Sequence, residues 1–195
     1  MGKIGSSGYH HGNLRRVLLD AALEAIVEQG PTAWSLRELA RRANVSHAAP
    51  AHHFGDKTGV LTAVAAEGYE LFADALERES HDFQRVGLAY VRFALERPAY
   101  FTVMFRPDLY RVDDPDVAAA RDRARAVLVA GARTFAAGTA PDRAVVLAAW
   151  SCAHGFAHLW SSGALPESVA GDPERTVGEM FRSLFGGSHA DGPPA

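Results

Sequence analysis

One cysteine, Cys152, stands in 195 residues, so no internal disulfide framework can form and the chain suits a reducing compartment. No run of about 18 apolar residues occurs, which leaves no candidate for a membrane-spanning helix, and the N-terminus lacks the apolar core of a secretory leader. Strict apolar and polar alternation is missing too, so there are no candidate strands. Nor is there a phosphate loop, a dinucleotide fingerprint or a nucleophile elbow. Charge is nearly balanced, at a net −3. Together these absences predict a soluble, cytoplasmic, all-α protein that is not an enzyme and needs no cofactor.

What is present is unevenly placed. Residues 1–59 carry seven basic side chains (Lys3, Arg15, Arg16, Arg37, Arg41, Arg42, Lys57) against five acidic ones (Asp20, Glu24, Glu28, Glu38, Asp56), a net of +2 that leaves −5 for the remainder. Five of the nine histidines, His10, His11, His47, His52 and His53, fall in the same part, and a neighbouring phosphate would favour their charged form. This is the part of the chain suited to a polyanion. At 48% hydrophobic the chain can bury a sizeable core, in one body or in two small domains.

The densest pattern lies in SLRELARRANVSHAAPAHHFGDK, residues 35–57. Ser35 is a good N-cap, and Glu38 three residues on completes a capping box. Leu36, Leu39, Ala40 and Ala43 recur at helical spacing, with Arg37, Arg41 and Arg42 outward. Asn44 tolerates the left-handed conformation of a sharp turn, and Val45 is placed to plug the core beneath it. Ser46 can cap a second helix from His47 to about Phe54 that exposes His47, Ala48, Ala51 and His52. Such a helix fits the major groove of B-DNA. Gly55 ends it, Asp56 can cap the next helix, and Lys57 sits where a helix N-terminus can hold a phosphate. The pattern is a helix-turn-helix.

The stretch resembles the DNA-binding domain of the tetracycline-repressor (TetR) family of transcription regulators. The likeness runs from Asn13 to about Glu67, with Gly30, Leu36, Leu39, Ala40, Val45, Ser46, His53, Phe54, Lys57 and Leu61 as anchors. The first helix of such a domain reads NLRRVLLDAALEAIVEQG, with Leu14, Val17, Leu18, Ala21, Ala22, Ala25 and Ile26 on one face. Two positions depart from the family pattern: Ala51 stands where a backbone-touching tyrosine is usual, and Pro50 where leucine is common. The resemblance implies DNA contacts from Arg15, Ser35, Arg37, Ser46, His47, Ala48, Ala51, His52, His53 and Lys57. A leader carrying Lys3, Tyr9, His10 and His11 can reach the minor groove or be a plain loose segment.

Beyond Glu67 breakers separate further helices, expected at residues 60–79, 83–96, 99–105, 116–137, 142–161 and 173–185, with a loop at 107–115. The expected organisation is an arm and DNA-binding domain at 1–59, a helical effector-binding and dimerisation domain at 60–185, joined through the long 60–79 helix, and a loose tail at 186–195. Trp150, His154 and Gly155 resemble the Trp-to-His-Gly signature of one TetR subgroup.

The resemblance implies a homodimer that binds an operator in double-stranded DNA, with no membrane partner, and a mostly apolar effector held among Leu71, Phe72, Tyr90, Phe93, Phe101, Met104, Phe105, Val127, Trp150 and His154. The last two helices would pair with their copies through Val146, Leu147, Ala153, Ala157, Trp160, Val177, Phe181 and Leu184, although apolar faces of this kind also close monomer cores. His154 and His158, four apart on a helix, have metal-binding spacing, but Gly155 stands where a zinc hydrolase needs glutamate and no third ligand is near. No metal is expected. The competing reading is a helical small-molecule or metal-binding module that has lost operator binding through Pro50 and Ala51.

Overall fold

A computed structural model describes residues 7–135, 143–166, 169 and 171–185. Among the described residues there are nine α-helices and no strand: α1 Ser7–Gln29, α2 Leu36–Arg42, α3 Ala49–Phe54, α4 Lys57–Arg78, α5 Phe83–Glu96, α6 Pro98–Met104, α7 Pro115–Phe135, α8 Arg143–Ser161 and α9 Pro173–Phe185. None is long and apolar enough to cross a membrane. The expected tail at 186–195, the end of the 116–137 helix and Asp142 lie outside the described residues, as does Lys3.

Local chemistry sets the helix boundaries. Asp82, Asp114 and Asp172 each accept backbone N–H bonds from the first turn that follows, through Gln84 (2.8 Å), Asp116 (3.1 Å) and Arg175 (3.0 Å). In α7 and α9 a proline at the first helical position follows the aspartate, where its missing N–H is no loss. The residue before a proline avoids helical geometry, so α5 stops at Glu96, Arg97 swings to φ −130 and ψ 52, and Pro98 starts α6. At the other end of the chain α1 begins at Ser7, six residues before the expected Asn13. Tyr9, His10 and His11 therefore lie within a helix.

Packing divides the chain into two compact units that interleave in sequence. The first comprises residues up to Leu71 together with Arg97–Asp122; the second comprises Phe72–Glu96 and the chain from Arg123 onward. The expected boundary at residue 59/60 does not coincide with this division, because residues up to Leu71 and the segment Arg97–Asp122 pack in the first unit.

In the first unit α1 packs against α2 and α6, and α2 against α3. Leu18, Leu19, Ala22, Ala25 and Ile26 form the buried stripe of α1, joined by Trp34, Leu39, Ala40, Val60 and Val64. Leu19 is buried and Val17 is 38% exposed, so the stripe is rotated by about half a turn step from the sequence expectation. The C-terminus of α6 is closed by two tyrosines: Tyr69 and Tyr110 both donate to the carbonyl of Met104, at 2.9 Å each. A carbonyl at a helix end has no intrahelical partner, and here it is buried, so those hydroxyls offset its desolvation.

In the second unit α5 packs against α8 and α9. Val86, Ala89, Tyr90, Val91, Phe93 and Ala94 are buried on α5, and Phe181 of α9 lays its ring on Gly87, where a Cβ would stand 2.7 Å from the ring. Arg92 pairs with Glu174 through two bonds, at 2.8 and 2.7 Å, on the exposed rim, where such a pair adds at most about 1 kcal/mol.

Candidate nucleic-acid interface

The turn between α2 and α3 is built as the sequence requires. Ser35 Oγ accepts the Glu38 N–H at 3.2 Å and starts α2. Glu38 does not return the bond that would complete the capping box. Its carboxylate accepts from Gln29 Nε2 at 2.9 Å and Arg42 Nε at 3.1 Å, contacts that hold it below the usual carboxylate range. At the C-terminus Asn44 takes φ +52, Val45 N–H bonds the Ala40 carbonyl at 3.0 Å and Asn44 N–H that of Arg41 at 3.2 Å. These two crossed bonds make a Schellman turn with asparagine in the left-handed position. Val45 is half-buried, a partial plug.

The second helix starts later than the sequence suggests. With Ser46 as N-cap, Pro50 would be the fourth helical residue, lacking the N–H for the Ser46 carbonyl and pressing its ring on it. Instead residues 46–49 form a turn, Ala49 N–H bonding the Ser46 carbonyl at 3.0 Å, and α3 begins at Ala49 with Pro50 in its first turn. Ala48 is the N-cap residue and gives no side-chain cap, so Ser46 is not the cap. Ala49 and Pro50 are buried, whereas His47, Ala48, Ala51 and His52 are exposed. His53 is half-buried between His52 (5.4 Å, edge-on) and Phe54 (6.3 Å). Gly55, at φ +78, ends α3, and Asp56 Oδ1 takes the Gly59 N–H at 2.6 Å to start α4.

Cations flank this face unequally. Arg15, Arg37 and Arg41 are exposed, and the Arg15 guanidinium lies 5.2 Å from the Phe54 ring centre. Arg42 is engaged by Glu28 at 2.7 Å and Glu38 at 3.1 Å, and Arg16 by Asp20 and Glu67. Lys57 departs from expectation. Its ammonium donates to the carbonyls of Thr32 and Trp34, both at 2.7 Å, and lies 4.5 Å from the Trp34 ring centre. Burial pushes its amine below the ordinary lysine value.

The expected effector residues divide between the units. Phe101, Met104 and Phe105, with Leu71, belong to the first, where Phe105 meets Phe101 at 4.8 Å and Tyr69 at 6.4 Å. Phe72, Tyr90, Phe93, Val127, Trp150 and His154 belong to the second. There the buried Tyr90 hydroxyl accepts from Trp150 Nε1 and lies within hydrogen-bonding distance of His154 Nδ1, both 3.0 Å away. Trp150 and His154 are one turn apart on α8, so the spacing noted in the sequence serves a single phenol. Burial raises the Tyr90 pKa, and burial first, then His158, lowers that of His154. Phe72 packs edge-on to Tyr90 at 5.0 Å. A cavity of about 20 Å³, room for one water, lies beside the group, lined also by Phe83, Val86, Leu128, Val146, Ala149 and Phe181, most of which the sequence did not single out.

A histidine with a depressed folded value disfavours protonation of the fold, so the stability it confers is complete above the unfolded value near 6.5 and falls as the pH drops below it. The melting temperature is expected to fall from pH 7.5 to 5, and to fall less in His154→Gln, as thermal scans at matched ionic strength would show. An equal fall in both chains would remove His154 from that role.

Several residues expected between copies are core residues of the second unit. Val177, Phe181, Ala153 and Ala157 are 0–3% exposed, filling the packing of α5 with α8 and α9. Leu147 (54%) and Leu184 (57%) are exposed, with Val146 and Trp160 half-buried. Leu159 is 45% exposed as well, and Trp150 43%. Among the described residues no group of three or more His, Cys, Asp or Glu is placed to hold a metal ion.

Residues 18–64 match the family described as "Bacterial regulatory proteins, tetR family", and residues 83–184, over half of the chain, match "Tetracyclin repressor-like, C-terminal domain". The chain belongs to the TetR family. Both parts of the TetR family's architecture, the N-terminal and the C-terminal domain, are present in the chain. A protein with unknown function from Rhodococcus sp. RHA1 is 31% identical, with 92% of this chain and 97% of that one covered and a TM-score of 0.74. The HTH-type transcriptional regulator BetI of Escherichia coli is 40% identical over 67 residues, only about a third of each chain (34%). AibR, solved with isovaleryl coenzyme A and operator DNA, shares the TetR fold at 17% identity and a TM-score of 0.66, covering 88% of this chain and 98% of its own.

Proposed function

We propose that this TetR-family regulator is a ligand-responsive repressor that binds a pseudo-palindromic operator as a homodimer. In this reading His47, Ala48, Ala51 and His52 of each copy meet base edges in the major groove, and Arg15, Arg37 and Arg41 meet phosphates. The exposed row formed by the turn before α3 and the first residues of that helix, beside the buried Ala49 and Pro50, carries the proposal. Ser35 spends its hydroxyl on the α2 cap, and His53 sits beside the row rather than in it. Exposed Leu147, Leu159 and Leu184 support pairing between copies, and two-fold pairing demands matching half-sites.

The effector would bind in the second unit beside Tyr90, Trp150 and His154, and its aromatic surroundings favour a mostly apolar molecule. A complex of AibR with both a ligand and operator DNA supports a coupled regulator of this type. Membership of a regulator family supports a role without catalysis. Trp150, His154 and Gly155 support placement in the Trp-to-His-Gly subgroup.

Selection of bound duplexes from a random pool tests the reading, and an inverted repeat is the expected product. His52→Ala is then expected to weaken the selected operator about tenfold, the size of one good base contact, without changing oligomeric state. Recovery of no enriched sequence would favour the module that has lost operator binding.

A further inference from the structure

We propose that Lys57 is a positioning residue: its ammonium fastens the segment before α2 to the start of α4, and so sets the recognition helix for specific rather than general DNA binding. The proposal rests on the operator reading above. Thr32 and Trp34 lie three and one residues before the α2 cap Ser35, and only Gly55 and Asp56 separate Lys57 from α3, so this one side chain joins the two ends of the helix-turn-helix.

The ammonium makes contacts of two kinds. At the tip, two carbonyls outside any helix ladder each receive a charge-assisted bond of 2.7 Å. The same ammonium lies 4.5 Å from the centre of the ring of Trp34, a residue only 3% exposed. Two of the three N–H donors are thus spent inside the protein, leaving one. A charge held this way is poorly placed to act as a mobile phosphate clamp. The Trp34 indole Nε1–H, by contrast, is buried with no hydrogen-bond partner, so Trp34 is held by packing and by Lys57 rather than by its own donor.

Loosening the tie would let α2 and α3 shift relative to α4. Non-specific binding, which needs only basic surface near phosphate, would survive. Specific binding needs side chains on base edges and would not.

The test compares the full-length wild type with Lys57→Met, which keeps the stem and removes the ammonium, and with Arg41→Met, an exposed cation on α2. Affinities for the selected operator and a scrambled duplex are measured over a salt series, well below the melting temperature, with thermal unfolding recorded without DNA. For Lys57→Met the ratio of operator to scrambled affinity is expected to fall about tenfold or more. The salt slope on scrambled DNA stays at the wild-type value, and melting falls by about 4 °C. Arg41→Met is expected to lower the salt slope on both duplexes by about one with melting unchanged.

Lys57→Met behaving like Arg41→Met would overturn the proposal and make Lys57 a phosphate contact. So would an unchanged ratio, or equal loss on both duplexes with lowered melting, which marks a structural role alone. If the wild type prefers no duplex, the operator reading fails and this proposal falls with it; if it does and the Lys57→Met ratio holds, the proposal alone fails.

Discussion

Gly59→Ala is expected to destabilise the protein by about 3 kcal/mol and to remove operator binding. A Cβ at this position would stand 1.9 Å from the carbonyl oxygen of Phe54 and 3.1 Å from Arg111 Nη1. The first of these is main chain and cannot swing away as a flexible side chain does. Phe54 is the last residue of α3, so the turn through Gly55 and Asp56 has to open, and the Gly59 N–H to Asp56 bond goes with it. Asp56 also receives two bonds from Arg111, at 2.9 and 2.8 Å, so the disturbance reaches the loop that follows α6. Chemical denaturation and binding to the selected operator would both report it. Thr58→Ala, at the exposed neighbour, is expected to change stability by less than about 0.5 kcal/mol. Equal effects of the two substitutions would show that the turn adjusts freely.

Phe181→Ala is expected to cost about 3–5 kcal/mol, the range for emptying a buried aromatic site. The ring is 1% exposed, lies on Gly87 and forms part of the wall of the small cavity. The loss should not depend on protein concentration, because the ring is a core group of the second unit. A deficit that vanishes as concentration rises would instead place Phe181 between copies, as the apolar pattern of α9 suggested. Leu184→Glu, on the exposed side of the same helix, is expected to act in the opposite manner, weakening self-association with little effect on the fold.

That contrast shows what the sequence can carry. The bounds of α5 and α9 were legible because Asp82, Pro98, Asp172 and Pro173 punctuate the chain with chemistry that acts over one turn. Asn44 and Gly55 were legible for the same reason, since positive φ selects few residues. Apolar periodicity shows that Val177 and Phe181 are covered but not by what, and so both were placed between copies. The start of α1 was hidden in SGYHHG, whose glycines and histidines give no helical period. For α3 the signal is Pro50: the helix starts two residues later than Ser46 alone suggests, which keeps the proline ring in its first turn. The destinations of the Lys57 ammonium and the Tyr90 hydroxyl depend on residues 23–25 and 60–64 positions away, contacts no local pattern announces.

The interleaving of the two units bears on how regulators of this architecture can be recombined. A cut near residue 60, or even at Leu71, discards Arg97–Asp122, and with it α6, the tyrosine-bonded Met104 carbonyl and the Arg111 bond to Asp56. The severed headpiece would expose the apolar faces of α1 and α4 and lose part of its own interior. A chimera that keeps the headpiece whole has to exchange two segments at once, 72–96 and the chain after Asp122, with junctions inside α4 and α7. The two units are thus spliced strips of one chain rather than successive beads, so either one can be exchanged whole only by replacing two segments together.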